Sequence, residues 1–172
     1  MTTPHRIQRV TWQQSEKDLA DIRRTVFIDE QSVPENLEWD KLDATAQHVL
    51  ACLADGTPVG CGRLVPVPRA HGRSGTPGRS GGTGRIGRMA VLKAFRRRGI
   101  GAALLGELLV LAREQGMIRV VLSAQVHALP FYTAHGFAAY GQEFTDAGIP
   151  HRRMAIILPA GQGSAASDGR GR

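Results

Sequence analysis

Apolar residues recur at helical spacing in three parts of the chain. A first predicted helix spans residues 15–30 and begins with a serine and an aspartate in the order of a capping box. A second, leucine-rich helix spans residues 102–115 and ends at Gly116, which serves as its C-cap. A short third helix spans residues 128–134, with Pro130 in its first turn.

Strand-like patterns occupy most of the remaining chain. Runs rich in β-branched and other apolar residues predict strands at residues 7–12, 48–53, 59–67, 85–91, 119–123, 137–144 and 152–158. Asp55 and Gly56 mark a hairpin turn between the second and third of these strands. The predicted order is β-α-β-β-β-α-β-α-β-β, which indicates one mixed α/β domain over residues 1–159.

Three segments follow neither periodicity. Residues 32–43 are acidic and contain the helix breaker Pro34, so we expect them to be irregular. Residues 68–84 are rich in glycine, arginine and serine, and they lack the apolar side chains that would order them, which predicts a mobile loop. Residues 160–172 are of low complexity and are predicted to form a disordered tail.

The composition narrows the class of protein. A chain of 172 residues is long enough for one core. It contains no run of 18 apolar residues, and its first residues lack the apolar stretch of a signal peptide, so we expect a cytoplasmic protein that does not enter membranes. Cys52 and Cys61 are too few for a disulfide framework and belong to no metal-ligand pattern, so we expect buried strand residues and no metal.

The formal net charge of +7 makes nucleic acid a candidate partner. Much of the positive charge lies at residues 85–98, in the segment 68–84 and in the tail. Aromatic residues make up only 5% of the chain, too few for a platform that stacks bases. We therefore expect no specific nucleic-acid partner.

Residues 96–101, Arg-Arg-Arg-Gly-Ile-Gly, follow a predicted strand and precede the leucine-rich helix. Backbone N–H groups and the positive end of the helix dipole converge at such a turn, so it suits a phosphate. Gly99 and Gly101 carry no Cβ and allow close approach. The Gly-Lys-Ser/Thr of a Walker loop is absent, and a dinucleotide fingerprint would need a third glycine. The turn predicts a site for another phosphorylated ligand.

Two motifs carry a family resemblance. The turn at residues 96–101 has the order Arg-x-x-Gly-x-Gly/Ala, which resembles the coenzyme A pyrophosphate loop of the GNAT superfamily of N-acetyltransferases. Residues 125–137 resemble the stretch in which that family has Asn-x-x-Ala, then Tyr, then Gly-Phe. Gln125 stands where many relatives carry asparagine. Residues 26–34 and 143–151 further resemble the ElaA-like bacterial subgroup.

The resemblance implies a mixed central sheet with splayed strands and acetyl-CoA as the acyl donor. It also implies a monomer or a homodimer. The residues that it assigns to acetyl-CoA are Met89, Ala90, Val91, Arg96, Arg97, Arg98, Gly99, Ile100, Gly101, Ala102, Gln125, Ala128, Phe131 and Tyr132.

Amide formation from a thioester defines the expected chemistry. The acceptor ammonium must lose a proton before it attacks, and the departing thiolate needs a proton or a hydrogen bond. The resemblance assigns the second role to Tyr132 and assigns the binding of the reacting oxygen to the backbone of residues 89–91. Glu30 ranks first as the base that takes the proton of the amine, and Glu35, Glu38, His127, His151 or a water chain are alternatives.

Six acidic residues concentrate near the expected acceptor pocket, at positions 29, 30, 35, 38, 40 and 43. Such a patch would attract a cationic molecule, so a small primary amine is the expected acceptor. Two other functions remain open: a domain that binds acyl-CoA as a sensor without transferring the acyl group, and a basic protein associated with nucleic acids.

Overall fold

The computed structural model describes residues 4–68 and 81–159, so the predictions for 69–80 and 160–172 lie outside the described residues. Its seven strands form one sheet in the order β1-β2-β3-β4-β5-β7-β6. The strands are β1 His5–Val10, β2 Gln47–Leu53, β3 Pro58–Val67, β4 Gly82–Val91, β5 Met117–Gln125, β6 Ala138–Asp146 and β7 Ile149–Ile157. Strands β4 and β5 pair in parallel, and all other neighbours are antiparallel.

The helices connect these strands. They are α1 Trp12–Arg23, which continues as a π-helix over Arg24–Glu30, α2 Glu35–Glu38, α3 Ile100–Glu114 and α4 Leu129–Ala134, with 3₁₀ turns at Lys93–Phe95 and Val126–Ala128. The predicted mixed α/β class is therefore confirmed. In the described part of the chain, no helix has the length and apolar content that a membrane span requires.

Several predicted segments differ from the structure, and the first strand ends at Val10 instead of at residue 12. The first helix begins after Thr11 instead of at Ser15, because Thr11 and Gln14 form a reciprocal capping box. The acidic segment contains the short helix α2. Strand β4 begins at Gly82, inside the predicted loop. A glycine in this part of β4 allows close packing, because a Cβ on Gly84 would lie 2.5 Å from the sulfur of Met117.

The sheet separates two apolar clusters. Helix α3 covers one face, where Leu104 and Leu108 are fully buried against the strands. Helix α1 packs on β3 and β4 from the other face, where Leu19 and Ile22 meet Cys61. Among the described residues, α1 does not extend over β5, β7 and β6, so this second face stays open there.

A buried ion network ties the acidic segment to the sheet. The guanidinium of Arg23 lies 2.5 Å from a carboxylate oxygen of Glu38 and 2.7 Å from one of Asp43. Arg63 on β3 donates to the same oxygen of Asp43 at 2.8 Å and to Asp40 at 2.7 Å. The side chains of Arg23, Glu38, Asp43 and Arg63 are all at most 6% exposed, so each charge depends on its partners.

Aromatic rings and a histidine complete the network. Arg23 lies between Trp12 and Trp39, with its guanidinium carbon 5.5 Å and 4.9 Å from the two ring centroids. The Nε2 atom of buried His48 is 2.9 Å from the backbone oxygen of Asp43. Burial lowers the pKa of His48, so the ring stays neutral at neutral pH and adds no third cation beside Arg23 and Arg63.

Asp43→Asn is expected to lower the free energy of unfolding by about 3 kcal/mol or more, because it leaves two buried guanidinium groups without their shared carboxylate. Urea denaturation of the purified protein measures this. Asp21→Asn is the matched control, since Asp21 is 61% exposed and pairs only with exposed Lys17. Equal losses in the two variants would contradict the structural role assigned to Asp43.

Candidate active site

The site forms where two parallel strands separate. Strand β4 pairs with β5 only between Gly82 and Arg85, opposite Met117–Val121. Beyond Arg85, β4 pairs only with β3, while the end of β5 continues beside β7. The strands diverge around a cavity of about 880 Å³. Among the described residues, the edge of β4 that faces this cavity has no strand partner, so its backbone groups, apart from the Val91 oxygen that Arg96 binds, remain available to a ligand.

A β-bulge shapes this edge. Between Cys61 and Arg63 on β3, the partner residue changes from Ala90 to Gly87, so β4 contains one extra residue. Arg88 lies at the bulge with a φ of 53°, in the left-handed region that few non-glycine residues adopt. Its guanidinium donates to the backbone oxygen of Glu38 at 2.9 Å. The acidic segment thereby holds the bulge, and the bulge determines how Met89–Val91 face the cavity.

The glycine turn lies beside the cavity. Gly99 is the N-cap of α3, with a φ of 83° and no side chain to cap the helix. The first intrahelical bond runs from the Ala103 N–H to the Gly99 oxygen at 3.0 Å, so the N–H groups of Gly101 and Ala102 have no partner within the helix. Arg97 is exposed beside them. These groups can receive a phosphate.

Arg96 points away from this turn. Its Nε–H donates to the backbone oxygen of Val91 at 2.8 Å, and its two terminal nitrogens bind the carboxylate of Glu30 at 2.6 and 2.7 Å. The hydrogen bonds from Arg96 lower the pKa of Glu30. Glu30 therefore links the end of the π-helix to β4, and its carboxylate is a weaker base than a free glutamate.

Helix α4 forms another wall. Tyr132 lines the cavity, and its ring lies edge-on to Phe131 and Phe137 at centroid distances of 5.0 and 5.9 Å. Burial raises the pKa of Tyr132 to about 12, so the hydroxyl keeps its proton at neutral pH. Phe131 also approaches α3, since a Cβ on Gly101 would lie 3.6 Å from its ring.

Gln125 ends β5 at the cavity. Its side-chain amide nitrogen donates to the amide oxygen of Gln31 at 2.7 Å. The residue that stands in place of asparagine therefore connects β5 to the segment after the π-helix.

The structure brings many predicted site residues to one cavity. The predicted residues that line it are Glu30, Met89, Ala90, Val91, Arg96, Gln125, Ala128 and Tyr132. The other predicted residues form the adjoining turn and helix surface, at Arg97, Arg98, Gly99, Ile100, Gly101, Ala102 and Phe131. The two sets correspond to the two sequence motifs and their flanks. Within the described ranges, no group of three or more His, Cys, Asp or Glu residues is arranged to hold a metal ion.

Most acids of the predicted acidic patch are paired with arginines. Glu35 pairs with Arg24, and Glu38, Asp40 and Asp43 belong to the arginine network. Most of the negative charge is compensated locally and does not face an acceptor as a free patch. Sequence reasoning missed these pairs because their partners lie 11 to 50 residues away. It placed Arg85 among the basic residues around the phosphate turn and gave no role to Arg153, and both line the cavity.

The fold and the splayed site define the class of this protein. The sequence pattern of the Acetyltransferase (GNAT) family matches residues 11–137. The chain therefore belongs to the GNAT acetyltransferase family, whose members use acyl-CoA.

Individual relatives agree with this assignment. An uncharacterized N-acetyltransferase of Bacillus subtilis, YjcF, is 36% identical over 140 residues, which cover 80% of this chain and 89% of that protein. The structure of an acyl-CoA N-acyltransferase from Pseudomonas aeruginosa is 28% identical, with a TM-score of 0.72 and coverage of 89% and 99% of the two chains. Escherichia coli ElaA, 24% identical with a TM-score of 0.72, covers 88% and 99% and shares the fold.

Proposed function

We propose that this protein transfers an acetyl group from acetyl-CoA directly to the primary amine of a small acceptor. The observation that carries the proposal is the unpaired edge of β4, which opens into a cavity beside the glycine turn of α3. When bound, acetyl-CoA would supply the acetyl group as a thioester. In the transfer an N–C bond forms and the C–S bond breaks. The amine releases a proton, and the sulfur accepts one.

The glycine turn and β4 fit the coenzyme. Arg97 and Arg98, with the free N–H groups of Gly101 and Ala102, would hold its pyrophosphate. Ile100 is buried and anchors the turn to the core. The open edge of Met89–Val91 would hydrogen-bond the pantetheine arm and donate to the thioester oxygen. Gln125 and Ala128 border the same cavity from the end of β5.

Tyr132 is the proposed proton donor to sulfur. Its hydroxyl keeps its proton at neutral pH because burial raises its pKa to about 12. A pKa this far above that of an ordinary thiol, about 8.5, favours a hydrogen bond to the thiolate over complete proton transfer. Donation at this position stabilises the departing sulfur in either case.

Several residues could take the proton from the amine. Arg96 binds the carboxylate of Glu30, which makes this first-ranked candidate a weaker base. His151 is better placed, because its Nδ1–H donates to the backbone oxygen of Ile149 at 2.8 Å. In the neutral ring that bond leaves the Nε2 lone pair free to accept a proton. His151 and His127 both line the cavity.

The proposed acceptor class does not rest on the acidic patch. The arginine pairs remove the argument for a cationic acceptor, because the acids are already compensated. A primary amine remains the proposed nucleophile. The shared fold with ElaA and the motifs at residues 26–34 and 143–151 support placing the chain in the ElaA-like subgroup.

A sensor domain that binds acyl-CoA without transfer is the second candidate. The pairing of Glu30 with Arg96 favours it, because a carboxylate held by an arginine is a weaker base and less suited to catalysis. A measurement of acetyl transfer to an amine distinguishes the enzyme from the sensor.

Titration calorimetry with acetyl-CoA, followed by an amine screen that detects released thiol, tests the proposal. We expect binding that Arg97→Ala/Arg98→Ala weakens about tenfold or more, since charge-assisted bonds to phosphate are lost. We also expect thiol release with at least one primary amine. Binding without turnover on any amine would favour the sensor, and no binding at low salt would overturn both candidates.

Gly99→Ala is expected to weaken coenzyme A binding about tenfold or more, because alanine is unfavourable at a φ of 83° and a shifted turn no longer points its N–H groups at the phosphate. No neighbouring atom would clash with the added Cβ, since none lies within 4 Å of it. Gly106→Ala, in α3 and with open space around it, is the matched control. It should leave binding unchanged and raise the free energy of unfolding by about 0.5–1 kcal/mol. Calorimetry that gives both variants the parent affinity would refute the role of Gly99.

Tyr132→Phe is expected to lower kcat about a hundredfold or more and to leave the Kd for acetyl-CoA within about twofold, because the lost hydroxyl acts on the departing sulfur. Tyr140→Phe is the control, since Tyr140 also lines the cavity but lies on β6. Steady-state thiol release and calorimetry give the two quantities. An unchanged kcat in Tyr132→Phe would remove Tyr132 from the mechanism.

A further inference from the structure

The open face of the sheet carries two arginines at the splayed strands. Arg85 on β4 pairs with Val121 of β5, and Arg153 on β7 pairs with Ser123 of β5. Directly paired residues share a face, and Val121 and Ser123 alternate with the residues that face α3, so both arginines lie opposite α3. Both are exposed and both line the cavity.

Neither arginine is neutralised. Within residues 4–68 and 81–159, Arg85 and Arg153 form no salt bridge, and Arg153 lies over the ring of Phe144 at 5.3 Å. The other arginines of this cavity differ, because Arg63, Arg88 and Arg96 each hold a carboxylate. The open face therefore presents two positive charges whose donors are available to a ligand.

The acids of the cavity do not compensate this charge. The carboxylates of Glu30, Glu38 and Asp40 are each held by other arginines. Asp146 also lines the cavity, but it pairs with Ile149, four residues from Arg153 along β7 and thus about 13 Å away. The region beside Ser123 is positive.

We propose that Arg85 and Arg153 bind a negatively charged group, a carboxylate or a phosphate, carried by the amine acceptor. This substrate class rests on the proposed acetyl transfer. The register separates the two Cα atoms by about 12 Å, so these long side chains approach one anion from two sides of Ser123. Guanidinium groups offer forked donors that match carboxylate and phosphate oxygens. The anion of the acceptor anchors the molecule while its amine faces the open edge of β4.

Calorimetry of the protein saturated with coenzyme A tests the subsite without turnover. The probes are matched pairs: the common amino acids against their carboxamides, and O-phosphoethanolamine against ethanolamine. We expect the anionic member of at least one pair to bind about tenfold or more tightly. That advantage should disappear in Arg85→Gln/Arg153→Gln and persist in Arg152→Gln, which removes the same charge at a neighbouring position that does not line the cavity.

A failure of the anion subsite can be told apart from a failure of the proposed acetyl transfer. No preference for the anionic member in any pair, or a preference that the double substitution leaves intact, overturns the subsite. Thiol release with neutral amines alone would then still support acetyl transfer. Conversely, anion binding that depends on Arg85 and Arg153, without turnover on any amine, would keep the subsite and reject the transfer reaction.

Discussion

The site depends on a network of ion pairs, most of them buried, between three arginines and three carboxylates. Arg23, Arg63 and Arg88 come from α1, β3 and β4, and their partners Glu38, Asp40 and Asp43 lie in the segment before β2. Buried charges are costly to separate, so the short segment can adopt essentially one position on the sheet. In that position the backbone oxygen of Glu38 accepts a hydrogen bond from Arg88, and this bond fixes the bulge of β4.

The network also decides what the cavity can offer chemically. It occupies the carboxylates nearest the bulge, so negative charge does not accumulate there. Among the described residues, what remains is the open edge of β4, the neutral hydroxyl of Tyr132, the imidazoles, Asp146 and two arginines on the open face that form no salt bridge. Such a site offers fixed hydrogen-bond donors more than a strong carboxylate base.

The sequence predicted features whose signal is local. The order of helices and strands along the chain, the glycine turn and the helix with Tyr132 depend on periodicity or on motifs of a few residues, and the predicted element order is confirmed apart from the added helix α2. The pairing of the acids escaped prediction because Arg23 and Arg63 reach Asp43 across 20 residues in each direction, and no local pattern marks such partners. Likewise, the left-handed conformation of Arg88 follows from a β-bulge that only the register with β3 defines.

The π-helix connects the separated ends of β4 and β5. Its wider register over Arg24–Glu30 is uncommon in helices and often occurs at functional sites. It ends with Glu30 bound to Arg96, and the next residue, Gln31, bound to Gln125. One short segment therefore contacts both the end of β4 and the end of β5, the two strands whose separation creates the cavity. A change in its register would move both contacts together, so the width of the opening is coupled to the same segment that links Arg23 to its carboxylate partners in the ion network.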